Sequence, residues 1–218
     1  TADNSDCDDE NVDINPVAAE VCDGVDNDCD RGTSEAGTAT FTDSGGNLTD
    51  YSGTLTGSSR APATVSLTTD GSLAVCEGTW YVNLDVGANV SILNPSGLPG
   101  DVVLNGGATA SVVSLATDGV VVHLEGLSIE NGVGSGNSFS LSPGVNGGGI
   151  DCAATGTTLT ARSVDIRDNQ ADMEIGGGGG IGIRGCTVSL EDVLLATNQA
   201  AFGAAIWLDG GTLDMVDS

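Results

Sequence analysis

The clearest signal in the chain is an alternation of apolar and polar positions that recurs over its last third. Gly147-Gly148-Gly149-Ile150-Asp151-Cys152 is followed by an alternating run at 159–162, then Val164-Asp165-Ile166 and Asp168-Asn169. The order returns as Gly178-Gly179-Gly180-Ile181-Gly182-Ile183, Val188-Ser189-Leu190, Val193-Leu194-Leu195 and Thr197-Asn198. A third pass runs from Gly203-Ala204-Ala205-Ile206-Trp207-Leu208 to Leu213-Asp214-Met215. Within each pass the apolar residues take every second position, the period of a strand and not of a helix. Three short strands and three turns in under about 35 residues predict one coil of a β-solenoid, with equivalent side chains stacked coil over coil. Upstream the same alternation (Val65, Leu67; Leu73, Val75; Trp80, Val82, Leu84, Val86; Val90, Ile92) extends this body back to residue 63, with Trp80 inward and Tyr81 outward. Asn131 aligns loosely with Asn169 and Asn198.

Composition fits stacked coils. The apolar share is carried by Val, Leu, Ile and Ala with seven aromatics in all, and the 34 glycines gather at the turns. Charge changes the picture more. Thirty-one acids face five arginines and no lysine, a net charge of −26. That excludes nucleic acid as a partner and makes anionic membranes poor ones. Divalent cations are the natural counter-ions, the other reading being charge that only keeps an exposed protein soluble. No run of about 18 apolar residues offers a membrane-inserted helix.

Cys7, Cys22, Cys29, Cys76, Cys152 and Cys186 contain no Cys-x-x-Cys pair and have one histidine in the whole chain beside them. Disulfides in an oxidising compartment are the better reading than zinc. Cys152 aligns over Ile183 with Cys186 a little further round, so a Cys152–Cys186 bridge between adjacent coils is feasible. Cys76 then joins one of Cys7, Cys22 and Cys29; which one stays open.

Residues 1–37 form an acidic head holding 12 of the acids and one arginine. Asp26-x-Asp28-x-Asp30 puts carboxylates at every second residue, so one loop can wrap a hard cation with oxygen ligands, Asp23 standing just upstream. Asp6, Asp8, Asn11 and Asp13 offer a second oxygen cluster. Asp6-Cys7-Asp8-Asp9, Ile14-Asn15-Pro16, Ala19-Glu20-Val21-Cys22-Asp23-Gly24 and Asp26-Asn27-Asp28-Cys29-Asp30 resemble a short metal-binding repeat of bacterial secreted proteins, named after a copper-binding surface protein. The resemblance implies a bound metal. The hard oxygen donors suit Ca²⁺, whereas copper favours His, Cys and Met; an acidic, disulfide-tied cap needing no ion is the alternative. Residues 38–62 read as a Thr/Ser/Gly-rich connector, extended or forming a loosely attached strand pair through Phe41, Leu48, Tyr51 and Leu55.

The stretch 73–104 resembles the first coils of right-handed parallel β-helix proteins of the pectate-lyase-like group, and the Gly-Gly-Gly-Ile…Asn passes resemble repeats of polymorphic surface proteins and autotransporter passengers. Together these imply an all-β chain: a right-handed parallel β-helix over 63–218 behind the small metal-binding head. That fold carries enzymes, adhesins and inert stalks alike. No catalytic residue is assigned. Arg162, Arg167 and Arg184, with Asp165, Asp168 and Asp192, read as surface ion pairs, and His123 as a surface residue. The last coil leaves Ile206, Trp207, Leu208, Leu213 and Met215 as an interface, covered either by a second copy in a head-to-tail filament or by further chain of a larger surface protein. The expected function is an extracellular structural protein of the cell surface, a fibre subunit or adhesin stalk, and not an enzyme; a polysaccharide-binding or polysaccharide-cleaving module is the runner-up.

Overall fold

The computed structural model describes residues 7–8, 10–30, 34–134, 146–173 and 177–218. Among them the protein is all-β, with eighteen strands and one four-residue helix, Ser52–Leu55. Sixteen strands join one large, mostly parallel sheet; Val133–Gly134 and Gln170–Ala171 pair separately.

The alternation in the sequence becomes register in the sheet. Val113, Ile150, Ile181 and Ile206 are cross-strand partners on four successive parallel strands, as are Leu115, Cys152, Ile183 and Leu208 two residues on. Ile150 and Ile181 are fully buried, each worth roughly 2–3 kcal/mol against exposure. Between these two apolar columns the outward positions Ser114, Asp151, Gly182 and Trp207 line up.

The ten-residue strands Thr158–Arg167 and Thr187–Ala196 each merge two of the expected short strands. Each bends in the middle, because Ser163 and Asp192 take positive φ, and the buried phase shifts there from Leu159 and Ala161 to Val164 and Ile166. Gly126 occupies the same corner in the row before and also has positive φ. A second corner holds Asn131, Asp168 and Thr197, all in the left-handed region. This corrects the alignment of Asn131. Glu130, Arg167 and Ala196 are register partners, so Asn131 matches Asp168, and Gly132 takes the row position of Asn169 and Asn198.

Residues 38–62 are more firmly held than a loose connector. Ala39–Asp43 pairs antiparallel with Leu48–Asp50 on one side and, over five register pairs, with Gly71–Val75 on the other. Phe41 and Leu55 close this end of the core, being 5% and 0% exposed. Leu48, expected against the body, is 66% exposed and instead borders the head.

All six cysteines are bridged: Cys7–Cys29, Cys22–Cys76 and Cys152–Cys186. The bridge between adjacent rows is present, and Cys22 is the head cysteine that meets Cys76. Three disulfides and no free thiol point to an oxidising, non-cytoplasmic location. No helix of the described residues is long and apolar enough to cross a membrane.

Candidate metal centre

The head has little regular structure, and its polar side chains do the work of shaping it. Asp8, Asn11, Asn15, Asp23 and Asp28 each accept a hydrogen bond from the backbone N–H two residues on, at 2.8–3.2 Å. These are Asx turns, which let short acidic segments reverse without a core. Asn27 is the buried centre of the fold here, at 5% exposure. Its side-chain oxygen accepts from the Val21 N–H at 3.0 Å and its backbone oxygen from Asn15 N–H at 2.9 Å.

With Asn27 turned inward, its neighbours Asp26 and Asp28 flank it, and Glu20 meets them. Carboxylate oxygens of Glu20, Asp26 and Asp28 all lie within 4.8 Å of one another, and all three residues are half-buried. The Asp28 N–H donates to Glu20 Oε1 at 2.8 Å, which fixes the glutamate against the loop. Cys7–Cys29 ties the same loop to the start of the described head, and the Cys7 N–H donates to Cys29 Sγ at 3.0 Å. Three carboxylates this close repel one another unless a cation sits among them. The donor set is all oxygen and fits a hard metal ion.

Of the residues expected to bind metal, Asp26 and Asp28 are brought together. Asp8, Asn11, Asp13, Asp23 and Asp30 are exposed, and the carboxylates among them join no cluster of three with other acidic, cysteine or histidine groups among the described residues. Asp6 lies outside the described residues. Glu20 joins the cluster without having been among the expected ligands, although it stands inside the Glu-Val-Cys-Asp-Gly segment. Its eight-residue separation from Asp28 gives no local spacing cue, and only the inward Asn27 closes the gap. Cys22, Cys76 and Glu35 also converge, but both sulfurs are spent in a disulfide and cannot act as thiolate ligands.

Among the described residues outside the head, the charged side chains that bridge stand in separate pairs. Arg167 binds Glu130 through Nε at 2.8 Å and a terminal nitrogen at 2.7 Å, and Arg162 lies 3.8 Å from Glu191 with both side chains over half exposed. The acids that pair these arginines are therefore glutamates of neighbouring strands. His123 is exposed in a shallow groove of about 240 Å³ shared with Ser91, Glu125, Thr160 and Arg162. At the last row Trp207 does not stand free. Its ring lies against Gly177, which has no side chain to obstruct it, and 5.7 Å from the Phe202 ring. Leu208 and Met215 are 46% and 41% exposed, while Ile206 and Leu213 are half-buried.

Residues 6–35 match a family model described as a "Putative metal-binding motif", whose name, Cu-binding MopE, mentions copper. The head thus carries a metal-binding motif. No curated protein and no solved structure matches the chain. The likeness of 63–218 to pectate-lyase-like and surface-protein repeats accordingly finds no counterpart in these comparisons.

Proposed function

We propose that this chain is a structural module of an extracellular surface protein: a right-handed parallel β-helix carrying a calcium-loaded head, serving as a stalk. The observation that carries the reading is the unbroken register of Val113, Ile150, Ile181 and Ile206 on four successive parallel strands. A wall of repeated rows transmits length and stiffness rather than chemistry. Calcium is preferred over copper because Glu20, Asp26 and Asp28 supply hard oxygen, the head has no histidine or methionine, and its cysteines are bridged. When bound, the ion cancels the repulsion of the three carboxylates and cross-links Glu20 to the loop 26–28.

Within this reading a stalk fits better than a head-to-tail filament. The hairpin Ala39–Asp43/Leu48–Asp50 runs antiparallel across one end, and its outer strand is short, fully exposed and ends in Asp50. Short charged edge strands oppose the addition of another sheet. Electron microscopy of the purified chain separates the two: single short rods are expected, and long unbranched fibres would replace the stalk with the filament. Thermal unfolding with calcium and with chelator tests the metal, because an ion bound only to the folded head must raise its transition. Identical transitions would remove calcium from the account.

The groove around His123 and Arg162 favours polysaccharide binding as a second reading. Under it, an acidic polysaccharide is retained on a column of the protein and Arg162→Ala abolishes retention; no retention by the native chain ends that reading.

A further inference from the structure

A cavity of about 590 Å³ opens where the head meets the hairpin, and none of Glu20, Asp26 and Asp28 lines it. The head contributes Val12, Val21 and Val25 to one wall, and Leu48 of the outer hairpin strand stands on the other. Val12, Val25 and Leu48 are 85%, 40% and 66% exposed, so apolar surface meets water from both sides. The two walls are tied together, since Cys22 is bonded to Cys76 and its N–H donates to Thr40 Oγ1 in the inner hairpin strand. Two exposed carboxylates, Asp13 and Asp23, border the same space, and so does Asn27. Asn27 is 5% exposed and its Oδ1 is taken by the Val21 N–H, but its Nδ2 donates to no group of the described residues. A donor so nearly buried is costly to leave unmade, and here it stands beside a space that an acceptor can enter.

We propose that this cavity seats a short peptide segment of a partner protein, one in which an apolar residue adjoins a lysine or arginine. The apolar side chain covers Val12, Val25 and Leu48, the basic one pairs with Asp13 or Asp23, and a main-chain carbonyl accepts from Asn27 Nδ2. Charge selects the sign: with a net charge of −26 on the chain, anionic ligands are repelled and cationic ones drawn in. No aromatic ring lines the cavity to offer a face to a sugar. A simple amine answers the carboxylates but leaves the valines, Leu48 and the amide unmet. The volume lies within the range of clefts that hold a few residues or a small ligand. An extended backbone also finds partners on Leu48–Asp50, which ends the sheet and is paired on its inner side alone. Three residues are too few to recruit another sheet, yet enough to seat one peptide. The proposal goes beyond the stalk reading by giving the head a partner, and it uses none of the metal carboxylates.

The test passes a library of acetylated, amidated hexapeptides over the immobilised full chain at low and at raised salt. Retained sequences should place Leu, Ile or Val next to Lys or Arg, and should be released as salt rises. No retention, or retention of sequences without a basic residue, overturns the proposal. A retained hexapeptide is then titrated into the native chain, into Leu48→Thr and into Asp13→Asn/Asp23→Asn. Each variant should bind about tenfold more weakly or worse. All three positions are exposed, Leu48 lies outside the head, and asparagine at 23 keeps the side-chain oxygen that accepts the Val25 N–H, so the head fold is spared. Amide exchange at Val21 and Asp28 checks this, since both N–H groups are held inside the head. Unchanged affinity in either variant would put the peptide elsewhere on this acidic surface and overturn the cavity as its site.

Discussion

Asp151 points outward from its strand, between Ser114 and Gly182 in neighbouring rows, yet it is far from free in water. The chain folds back over it: Gly147 N–H donates to Asp151 Oδ1, at 3.4 Å, and Ser111 Oγ holds the Gly147 carbonyl at 2.6 Å. Loss of solvent raises its pKa to about 6, and the Gly147 N–H and the Arg184 charge offset only part of that. The folded state thus binds this proton more tightly than the unfolded chain does. Stability is greatest below the ordinary carboxylate pKa, falls as pH rises through about 4 to 6, and stays at the lower level beyond. The full loss is at most about 3 kcal/mol, since each unit is worth about 1.4 kcal/mol. Asp151→Asn should flatten this part of the profile and raise stability above pH 6 by up to about 2 kcal/mol. Urea midpoints of the native and variant proteins between pH 3.5 and 7.5 check this; parallel profiles would mean that Asp151 is solvated. Asp43 behaves in the opposite sense. Asn47 side-chain and backbone N–H groups hold its carboxylate below the usual range, so its contribution is present above that range and lost on acidification.

Among the elements, the corner after each long strand depends on one asparagine per row. Asn169 is 1% exposed, its Nδ2 donates to the Ile129 carbonyl at 2.9 Å, and its Oδ1 accepts from Gly132 N–H at 2.8 Å. Asn198 repeats the device one row later, donating to Ile166 O at 2.8 Å and accepting from Asn169 N–H at 3.0 Å. Each side chain thus satisfies two backbone groups of the preceding row that the turn would otherwise leave unpaired. Asn169→Ala strands two buried partners and should cost about 2–5 kcal/mol, while Asn198→Ala, at the half-exposed last row, should cost about half as much. Chemical denaturation measures both, and equal small losses would mean that water replaces the side chain. The sequence made the ladder visible through the 29-residue recurrence of Asn169 and Asn198, but not its earlier member. That row has Gly132 in the asparagine's place, and the neighbouring Asn131 is a decoy whose left-handed backbone suits the residue type for a different reason. The strands themselves were legible because burial imposes a period of two. The bends at Ser163 and Asp192 were not, since positive φ at a non-glycine residue leaves no compositional trace.

For the whole molecule, the question is how an acidic head without a core of its own stays attached to the sheet. Its loops, rich in aspartate and asparagine, announced metal chemistry in the sequence, and the Asp26-x-Asp28 spacing survives in the folded cluster. Glu20 was hidden because it arrives from a distant turn, and the cysteine pairing was hidden because connectivity depends on which loop the sheet end faces. That facing is set by Cys22, whose N–H donates to Thr40 Oγ1 at 3.2 Å while its sulfur bonds Cys76 at the end of Gly71–Val75. Cys22 and Cys76 are 1% and 7% exposed, whereas Cys7 is exposed, so the two head bridges differ in access to reductant. Limited reduction should therefore open Cys7–Cys29 first, with alkylation and mass mapping to identify the thiols. That step should abolish the calcium-dependent stabilisation proposed for the head, because Cys29 adjoins Asp28, and leave the sheet intact by circular dichroism. Replacing Cys22 and Cys76 by serine removes a closure spanning 54 residues, worth about 4 kcal/mol in chain entropy, and should free the head to protease around 24–37 even with calcium bound. If calcium alone kept that segment protected in the double variant, the metal and not the covalent tie would be what holds the head to the sheet.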